Sequence, residues 1–336
     1  MTLRSTTVSV IVCAYTEDRW DDLVASVESV RGLPEGPEVV LVIDHNDALL
    51  ARSRKRWVDV VVAPNEFRQG LSGARNTGVR LAAGDVVAFL DDDASADPAW
   101  LTHLLGPFAD ARVAGVGGHA TPVWPDGGNT LYPPELLWII GCSHRGLPTE
   151  LSAVRNVIGC SMAFRRESIL DVGGFNLDTG RVGAIPLGGE ETDLCIRIRQ
   201  ADPTARIVLE PRADVRHHVT ANRVTWAYLR RRSFYEGVSK AALSRQLGAS
   251  DSLSSESAYL RRDIPRAALR ELRSIGRGGA GRLLALVTAV VATVAGYALG
   301  SLRRASLAPV DPVAGRALLT RDSTRPATAG RTEGTS

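Results

Sequence analysis

The chain has 336 residues, of which 44% are hydrophobic and 23% are charged, and its formal net charge is +3. This composition excludes a disordered chain, a collagen and a small disulfide-stapled fold, and the length suits one large domain or two small ones. The four cysteines are widely spaced and form no C-x-x-C pair. We therefore expect free thiols in a cytosolic protein rather than a zinc or redox motif.

The small net charge conceals an uneven distribution along the chain. Residues 1–125 carry 11 basic and 17 acidic side chains, residues 126–205 carry 7 and 10, and residues 206–336 carry 22 and 10. An acidic front and a basic rear predict different partners for the two ends of the chain.

The first hundred residues alternate apolar runs with amphipathic stretches. The N-terminal sequence lacks the long apolar stretch of a signal peptide and leads directly into a β-branched run. The patterns predict strands at 8–15, 39–43, 58–63 and 86–90, and helices at 21–30, 49–57 and 72–83. Asp97 is predicted to cap a further helix with Pro98 at its first position. Repeated βα units of this size predict an α/β fold with a doubly wound, mostly parallel sheet.

The rest of the chain divides into segments of different composition. Residues 118–150 are rich in proline and glycine and predict loops, whereas 155–212 predict mixed short strands and helices. A long helical pattern covers 224–247, a polar linker follows at 248–257, and residues 283–300 carry no charge. The tail, 301–336, is rich in alanine, proline, threonine and arginine and is predicted to be disordered.

Acidic residues follow three of the predicted strands, where open α/β sheets bind their ligands. Glu17 and Asp18 follow the first strand, Asp44 ends the second, and an aspartate triplet, 91–93, ends the fourth. Helix capping is an alternative interpretation for the first two sites. Three adjacent carboxylates repel one another by roughly 1 kcal/mol per close pair outside bulk water. The triplet therefore predicts a cation site, and its hard oxygen ligands favour Mg²⁺ or Mn²⁺.

The turn after the first strand excludes two common nucleotide-binding loops. The segment TEDRWDDL follows that strand, and the next glycine is Gly32. The dinucleotide fingerprint G-x-G-x-x-G is therefore absent, as is the Walker-type G-x-x-x-x-G-K-[ST] loop. Any nucleotide would have to bind through other loops.

A series of segments in a fixed order carries a resemblance to a known family. The segments are VSVIVCAYTEDRWDDLVASVESV, VLVIDHND, GLSGARNTGV, VAFLDDDASADPAWL, GCSMAFRRESILDVGGFN and GGEETDLCIRIR. Over about residues 7–245 the chain resembles a family 2 glycosyltransferase with the GT-A fold. This resemblance implies a Rossmann-like, mostly parallel sheet flanked by helices.

The resemblance, together with the composition, divides the chain into four parts. A catalytic domain is expected at 1–245, with a nucleotide-binding half at 1–115 and an acceptor half at 116–245. A linker and helix at 246–282, a hydrophobic membrane-associated helix at 283–300 and a disordered tail at 301–336 are expected to follow.

The resemblance implies a donor-binding role for a set of residues in the first half. They are Ala14, Tyr15, Glu17, Asp44, Arg75, Asn76, Asp91 and Asp92. The first three would pack on the nucleobase and ribose, and Asp44 would hydrogen-bond a uracil-type base. The arginine and asparagine of the GARN segment would lie near the base and the diphosphate.

The resemblance also implies a divalent metal, Mn²⁺ or Mg²⁺, that bridges the donor diphosphate. Asp91 and Asp93 match the outer positions of the D-x-D motif, and Asp92 shares either the ribose or the metal role. The metal would stabilise the charge on the departing nucleoside diphosphate. In this family a histidine can complete the metal shell, and His217 is preferred over His218. A packed surface pair is the alternative interpretation for these histidines.

Direct inverting transfer also needs a base that takes the proton of the acceptor hydroxyl. Glu191 stands where the family usually has an aspartate base, which makes it the first candidate. Asp193 is the alternative, and Glu190 is the third acid of the same segment. Capping of a predicted helix at 193–199 is the other interpretation of these acids.

Two C-terminal features bear on the acceptor. The segment from Arg230 to Arg232 resembles the family's post-catalytic helix, whose arginines could approach a diphosphate; a solvated helix face is the alternative. The processive Q-x-x-R-W motif is absent, which favours transfer of a single sugar.

The uncharged stretch 283–300 would span about 27 Å as a helix and has arginines on both sides. It predicts one membrane helix or a monotopic anchor, with a packed helix as the alternative.

The function that these observations favour is an inverting, metal-dependent glycosyltransferase that moves one sugar to a lipid-linked or cell-envelope glycan. A looser resemblance of YTEDRWDDL and VIDHND to glucosyl-dolichyl phosphate glucuronosyltransferases adds UDP-glucuronate to the candidate donors, beside UDP-glucose, UDP-galactose and dTDP- or GDP-sugars. A nucleotidyltransferase is the alternative enzyme, but the glycine-rich loop of that class is missing. A non-catalytic binding protein is opposed by the intact triplet and by Glu191.

Use of a cytosolic nucleotide sugar places the catalytic domain in the cytoplasm, attached to the inner face of the plasma membrane. The membrane surface is the partner expected for the basic C-terminal part. No nucleic-acid partner is expected, and the sequence leaves the oligomeric state open.

Overall fold

The computed structural model of the protein describes residues 7–180, 188–252, 254–302 and 308–320. The strands within these ranges are β1 (Val8–Ala14), β2 (Glu38–Ile43), β3 (Val61–Pro64), β4 (Val86–Asp91), β5 (Ala94–Ala96), β6 (Val113–Val123), β7 (Ser152–Ala153), β8 (Ser161–Arg165) and β9 (Arg206–His218). The α-helices are α1 (Trp20–Arg31), α2 (Asp47–Arg56), α3 (Leu71–Leu81), α4 (Trp100–Leu105), α5 (Arg166–Asp171), α6 (Glu190–Ala201), α7 (Trp226–Leu247), α8 (Ala249–Ser252), α9 (Ser254–Ala258), α10 (Ile264–Arg273), α11 (Gly279–Leu302) and α12 (Pro312–Thr320).

The strands form one mixed sheet in the order β3-β2-β1-β4-β8-β6-β9-β5, and β7 pairs with β9. The half made of β3, β2, β1 and β4 is parallel, as predicted for the nucleotide-binding half. In the second half, β8 runs antiparallel to both β4 and β6, while β6 and β9 are parallel. Strand β8 follows β6 by a return loop rather than a helical crossover, which allows the antiparallel pairing.

Both faces of the central strands are covered. Val10 and Val12 of β1 belong to one buried cluster with Leu23 of α1, whereas Ile11 packs in a second cluster that contains Val79 of α3. Side chains of a strand point alternately to opposite faces, so a continuous apolar run is what a strand buried on both faces requires. This burial holds the carboxyl ends of β1, β2 and β4 in one rigid edge.

Helices α7 and α11 form a closely packed pair beside the sheet. A Cβ on Gly237 would overlap the carbonyl oxygen of Thr293, and a Cβ on Gly296 would overlap that of Phe234. Glycine at these two positions therefore lets the two backbones touch. Ala285 and other residues of α11 also join a third buried cluster with the 3₁₀ helix Pro134–Ile140.

Three predicted segments differ from the structure. Helix α4 begins at Trp100, because Asp97 caps the turn before it by accepting a hydrogen bond from the Ala99 amide. From residue 249 onward, the described part of the linker expected at 248–257 is helical. The disorder predicted for 301–336 is wrong for 308–320, which contain α12; residues 303–307 and 321–336 lie outside the described ranges.

Helix α12 is held by contacts that composition does not reveal. Asp311 accepts hydrogen bonds from two amides of its first turn, and Pro312 occupies the first helical position. Leu319 is buried, and Arg316 forms ion pairs with two acids of α5.

Candidate active site

The carboxyl ends of β1, β2 and β4 open into a cavity of about 940 Å³. The site residues predicted from the sequence that line this cavity are Ala14, Tyr15, Asp44, Arg75, Asp91, Asp92, Asp93, Glu190, Glu191 and His217. The fold therefore brings together the residues proposed for donor binding, metal binding and proton transfer, although they come from widely separated parts of the chain.

Three predicted residues lie elsewhere. Glu17 is exposed on a short 3₁₀ turn and lies 3.6 Å from Arg52. The Asn76 side chain is buried against the backbone of Phe175, donating to its carbonyl at 2.9 Å and accepting from its amide at 2.8 Å. Asp193 is fully buried and ion-paired with Arg197 one turn along α6.

The donor end of the cavity combines a fixed carboxylate with an available aromatic ring. Asp44 accepts hydrogen bonds from the Asn65 amide group at 2.7 Å and the Gly70 backbone amide at 3.0 Å. The Tyr15 ring is 40% exposed and lies 5.3 Å from the guanidinium of Arg19. A half-exposed ring beside an oriented acceptor suits a planar, hydrogen-bonding ligand such as a nucleobase.

The aspartate triplet is surrounded by cations. Asp93 Oδ2 accepts hydrogen bonds from Arg19 at 2.8 Å and from Arg223 at 2.9 Å, and Arg19 also donates to Asp92 at 2.9 Å. These two arginines were not predicted as site residues. Arg19 lies in the TEDRW segment, directly after Glu17 and Asp18. Arg223 reaches the site from the turn before α7.

Burial and neighbouring charges move the proton affinities of the triplet in opposite directions. Burial raises the pKa of Asp92 to about 7, against the effect of Arg19. For Asp93, His217 and Arg223 outweigh burial and hold the pKa well below its usual range. Burial alone would lower the pKa of His217, but the Asp93 carboxylate raises it to about 10. Asp93 and His217 therefore form a buried ion pair, with 3.2 Å between Oδ1 and Nε2.

Asp91, Asp93 and His217 fit a divalent cation. Each offers one ligand atom, and these atoms lie within 4.8 Å of one another. Two carboxylates with an imidazole suit Mn²⁺, and the carboxylate oxygens also suit Mg²⁺. The ion pair between Asp93 and His217 holds both ligand groups at the site, and the imidazole would have to lose its proton to coordinate the cation.

The structure distinguishes the two adjacent histidines. Strand β9 continues through both of them, so their side chains point to opposite faces of the sheet. His217 is buried in the cavity, whereas His218 is exposed and contacts Asp22 at 2.5 Å. Alternation along the strand, rather than residue type, decides which histidine can reach a metal.

Arg75 links the metal end of the site to the acids of α6. It is buried, and it donates to Glu190 Oε1 at 3.0 Å, to the Gly159 carbonyl at 3.1 Å and to Asp91 Oδ1 at 3.3 Å. The guanidinium of Arg75 therefore forms ion pairs with two carboxylates, one from β4 and one from α6. Its planar fork has the geometry for several simultaneous hydrogen bonds.

Among the acids of α6, Glu191 has the properties of a base. Gly189 adopts a left-handed conformation (φ 96°) directly before α6 and turns the first helical residues toward the cavity. Glu190 is tied to Arg75 and Asp193 to Arg197, whereas no cation in the described part of the chain forms an ion pair with Glu191. Burial, reinforced by Glu190, raises the pKa of Glu191 to about 8. A raised pKa strengthens a carboxylate as a proton acceptor.

A series of positively and negatively charged side chains, paired with one another, also lines the cavity. Arg232 donates to Glu236 at 2.7 Å, Lys240 lies 3.1 Å from Glu236, and Lys240 also pairs with Glu256. Arg155 completes the chain through Glu256 at 2.6 Å. Of the three arginines singled out on the predicted post-catalytic helix, 230 and 231 are exposed and only the third lines the cavity.

A family model and several known proteins match the sequence of this chain. The model of glycosyl transferase family 2 matches residues 9–173. The chain is 35% identical over 241 residues to the glucosyl-dolichyl phosphate glucuronosyltransferase of Haloferax volcanii, which covers 70% of this chain and 77% of that protein. It is 32% identical over 270 residues to the pre-mycofactocin glycosyltransferase of Mycobacterium tuberculosis, which covers 79% of this chain and 52% of that protein.

A solved structure supports the fold. The mannosyltransferase PcManGT from Pyrobaculum calidifontis, in complex with GDP-Man and Mn²⁺, superposes with a TM-score of 0.52 at 18% identity, over 87% of this chain and 88% of that one. The fold and the site thus define a glycosyltransferase of the GT-A type. The chain belongs to glycosyltransferase family 2, as its sequence motifs predicted.

Proposed function

We propose that this glycosyltransferase moves one sugar from a UDP-sugar to a hydroxyl of a lipid-linked or cell-envelope glycan, with inversion at the anomeric carbon. The observation that carries the proposal is that one cavity holds the metal-ligand set and Glu191, a partly buried carboxylate with no ion pair to any described residue. Direct displacement requires a leaving-group site and a proton acceptor within reach of one sugar, and the metal-ligand set and Glu191 in one cavity support these two roles.

Asp44 and Tyr15 support a uridine nucleotide. A uracil ring presents an N–H that a carboxylate can accept, and the Asp44 carboxylate is held at the cavity surface by its two donors. The Tyr15 ring offers a stacking surface beside it. The name of the Haloferax volcanii relative makes UDP-glucuronate the first donor to test. The GDP-Man held by PcManGT makes a GDP-sugar the necessary comparison.

Asp91, Asp93 and His217 would hold the metal, with Mn²⁺ favoured over Mg²⁺ because one ligand is an imidazole. When bound, the cation stabilises the negative charge of the departing nucleoside diphosphate by several kcal/mol. Arg19 and Arg223 place two further positive charges beside the same carboxylates. These two arginines therefore keep the donor end favourable for a diphosphate.

Glu191 removes the proton from the acceptor hydroxyl as the oxygen attacks the anomeric carbon. Its raised pKa makes it a strong acceptor once ionised, and its position in the first turn of α6 directs it into the cavity. Because the nucleophile enters opposite the leaving diphosphate in a single displacement, the anomeric configuration inverts. A base of this kind contributes about 10²–10⁴-fold to the rate.

Part of the cavity wall is apolar, beside the charged residues of α7. Leu260, Ile264, Ala289 and Val290 contribute to this part. Such a wall suits the hydrocarbon of a lipid-linked acceptor, and the Haloferax volcanii relative has a dolichyl phosphate in its name. We place the enzyme at the inner face of the cell membrane, where a cytosolic nucleotide sugar and a lipid acceptor meet.

The test is a donor panel with the full chain, comparing UDP-glucuronate, UDP-glucose, UDP-galactose, a dTDP-sugar and GDP-mannose, each with Mn²⁺, with Mg²⁺ and with EDTA. We expect metal-dependent release of UDP and an inverted product by NMR with a lipid-linked acceptor. Release of GDP alone would overturn the uridine assignment. Retention of configuration would overturn Glu191 as the base for direct displacement. No metal-dependent release from any donor would refute the whole proposal.

A further inference from the structure

We propose that α10 and the outer face of α11 lie in the plane of an anionic membrane leaflet, and that α11 does not cross the bilayer. An acceptor lipid would then reach the cavity along α11. The identity of that acceptor rests on the proposed function, whereas the membrane-bound orientation rests on the surface of these helices.

The outer face of α11 is apolar over its whole length. Leu284, Val287, Val291, Val294, Leu299 and Leu302 are each 50–79% exposed. Their spacing of mostly three or four residues places them along one side of the helix. No charged residue occurs from 283 to 302. Within the described residues, α11 is the helix that is long and apolar enough to cross a membrane, with a mean hydropathy of 2.1.

Helix α10 extends this surface and adds positive charge. Leu269, Leu272 and Ile275 are each about half exposed. Arg266 and Arg273 lie on the exposed side of the same helix. An apolar strip with arginines along its border is the pattern of helices that lie in the interface of an anionic membrane.

The opposite faces of both helices are attached to the catalytic domain. Arg270 of α10 donates to Glu135 of the 3₁₀ helix Pro134–Ile140 at 2.6 Å, and Arg282 of α11 donates to Glu271 of α10 at 2.6 Å, which joins the two helices. Further along α11, Gly296 touches the backbone of α7. Only one side of each helix is therefore available to lipid.

The contact with α7 excludes a transmembrane position for α11 in this fold. Helix α7 carries Arg232, Glu236 and Lys240 in the cavity wall, and its exposed Arg230 and Arg231 face solvent. If α11 crossed the bilayer, the closely packed α7 would enter the hydrocarbon with these charges. Charged side chains in the bilayer interior are strongly unfavourable. In the membrane plane, the same pair exposes only the apolar side of α11 to lipid.

The same helix also forms part of the cavity wall. Val290, Thr293 and Tyr297 of α11 line the cavity, and Val294 lines it while remaining 58% exposed. One edge of α11 therefore faces the site while its outer face meets the bilayer. In this orientation a lipid chain reaches the cavity along the apolar residues of α11.

Membrane binding is tested by sedimentation of the full chain with vesicles of phosphatidylcholine, with and without phosphatidylglycerol. We expect the double variant Leu284→Asp/Val291→Asp to bind anionic vesicles at least tenfold more weakly than wild type. The control Val58→Asp introduces one aspartate at an exposed valine outside α10 and α11 and should bind normally. Unchanged binding of the double variant, with an unchanged circular dichroism spectrum, would overturn the proposal.

The orientation is tested by spin-label depth measurements on Leu284→Cys, Val291→Cys and Leu302→Cys in vesicles, with the wild-type chain as labelling background. Labels in the membrane plane should report similar shallow depths. A deep central label between two shallow ones would show that α11 crosses the bilayer and would overturn the proposal. A stable dimer that buries these positions and does not bind vesicles would identify a second copy as the occupant.

Activity separates this inference from the proposed function. The Leu284→Asp/Val291→Asp chain should retain metal-dependent release of nucleoside diphosphate with a short, water-soluble acceptor, and lose at least tenfold with an acceptor embedded in vesicles. Equal loss with both acceptors would overturn the membrane route. If wild type binds vesicles as expected but turns over no donor, the proposed function fails and the membrane-bound orientation stands.

Discussion

Replacement of Glu191 by glutamine tests the base directly. Glu191→Gln keeps the size and most of the hydrogen-bonding capacity of the side chain, but an amide cannot act as a base at neutral pH. We expect kcat to fall about 10²–10⁴-fold, as the loss of a general base predicts. Donor affinity, measured by calorimetry with Mn²⁺, should change little, because the proposed nucleobase contact is Asp44 and the proposed metal ligands do not include Glu191.

The pH profile gives the magnitude that the structure predicts. With a pKa of about 8, roughly a tenth of the Glu191 side chains are ionised at pH 7 and roughly nine tenths at pH 9. Because the ionised form is the active one, kcat/KM should rise with pH and level off above pH 8. Removing the neighbouring acid with Glu190→Gln should shift this rise to lower pH, since Glu190 is one of the groups that raise the pKa.

Two controls make the result interpretable. Asp193→Asn removes an acid from the same helix, but Asp193 is buried and paired with Arg197, so this variant should lose stability while keeping the pH profile. Glu191→Asp should recover part of the activity. If Glu191→Gln retains normal turnover, or if Asp193→Asn abolishes the rise with pH, the assignment of the base is wrong.

Three further predictions address the metal site, the central arginine and the helix pair. His217→Gln should weaken Mn²⁺ at least tenfold in an activity titration, whereas His218→Gln should leave it unchanged; equal effects would refute the site. Arg75→Met should lower the free energy of unfolding in urea by about 3–5 kcal/mol, because it leaves the buried Glu190 and the partly exposed Asp91 without their cation, and a loss below about 1 kcal/mol would contradict this reasoning. Gly296→Ala should cost about 1–3 kcal/mol in the same assay by forcing α11 from α7, while Gly281→Ala, with open space around it, should cost nothing.

The local sequence pattern was sufficient to predict the strands of the parallel half of the sheet. The apolar run at β1 and the acids at the ends of β2 and β4 follow from local patterns, and the strand bounds agree to within a few residues. For residues 155–212 the sequence pattern predicts mixed short strands and helices, and it does not predict β9 as one strand. The structure has one long strand there, and its alternation decides between His217 and His218.

The residues that sequence reasoning missed, or placed wrongly, depend on long-range packing. Arg19 and Arg223 are about two hundred positions apart, and only the folded chain brings both to Asp93. Asn76 lies in a motif shared with the family, but its amide is used by the backbone of Phe175. Composition predicted disorder for a tail in which a capped helix finds an apolar contact through Leu319.

The attachment of α12 has a geometric consequence. Helix α11 follows α10, which is anchored to Glu135, and the chain beyond α11 returns to α5, where α12 packs. The lipid-facing helix is therefore secured to the catalytic domain on both sides and cannot swing like a tethered anchor. With α11 at the lipid surface, the fold fixes the distance between Glu191 and the leaflet. The fixed distance between the leaflet and Glu191 would then select acceptors by length. Only an acceptor with a matching number of sugar units between its lipid and the reacting hydroxyl would reach Glu191.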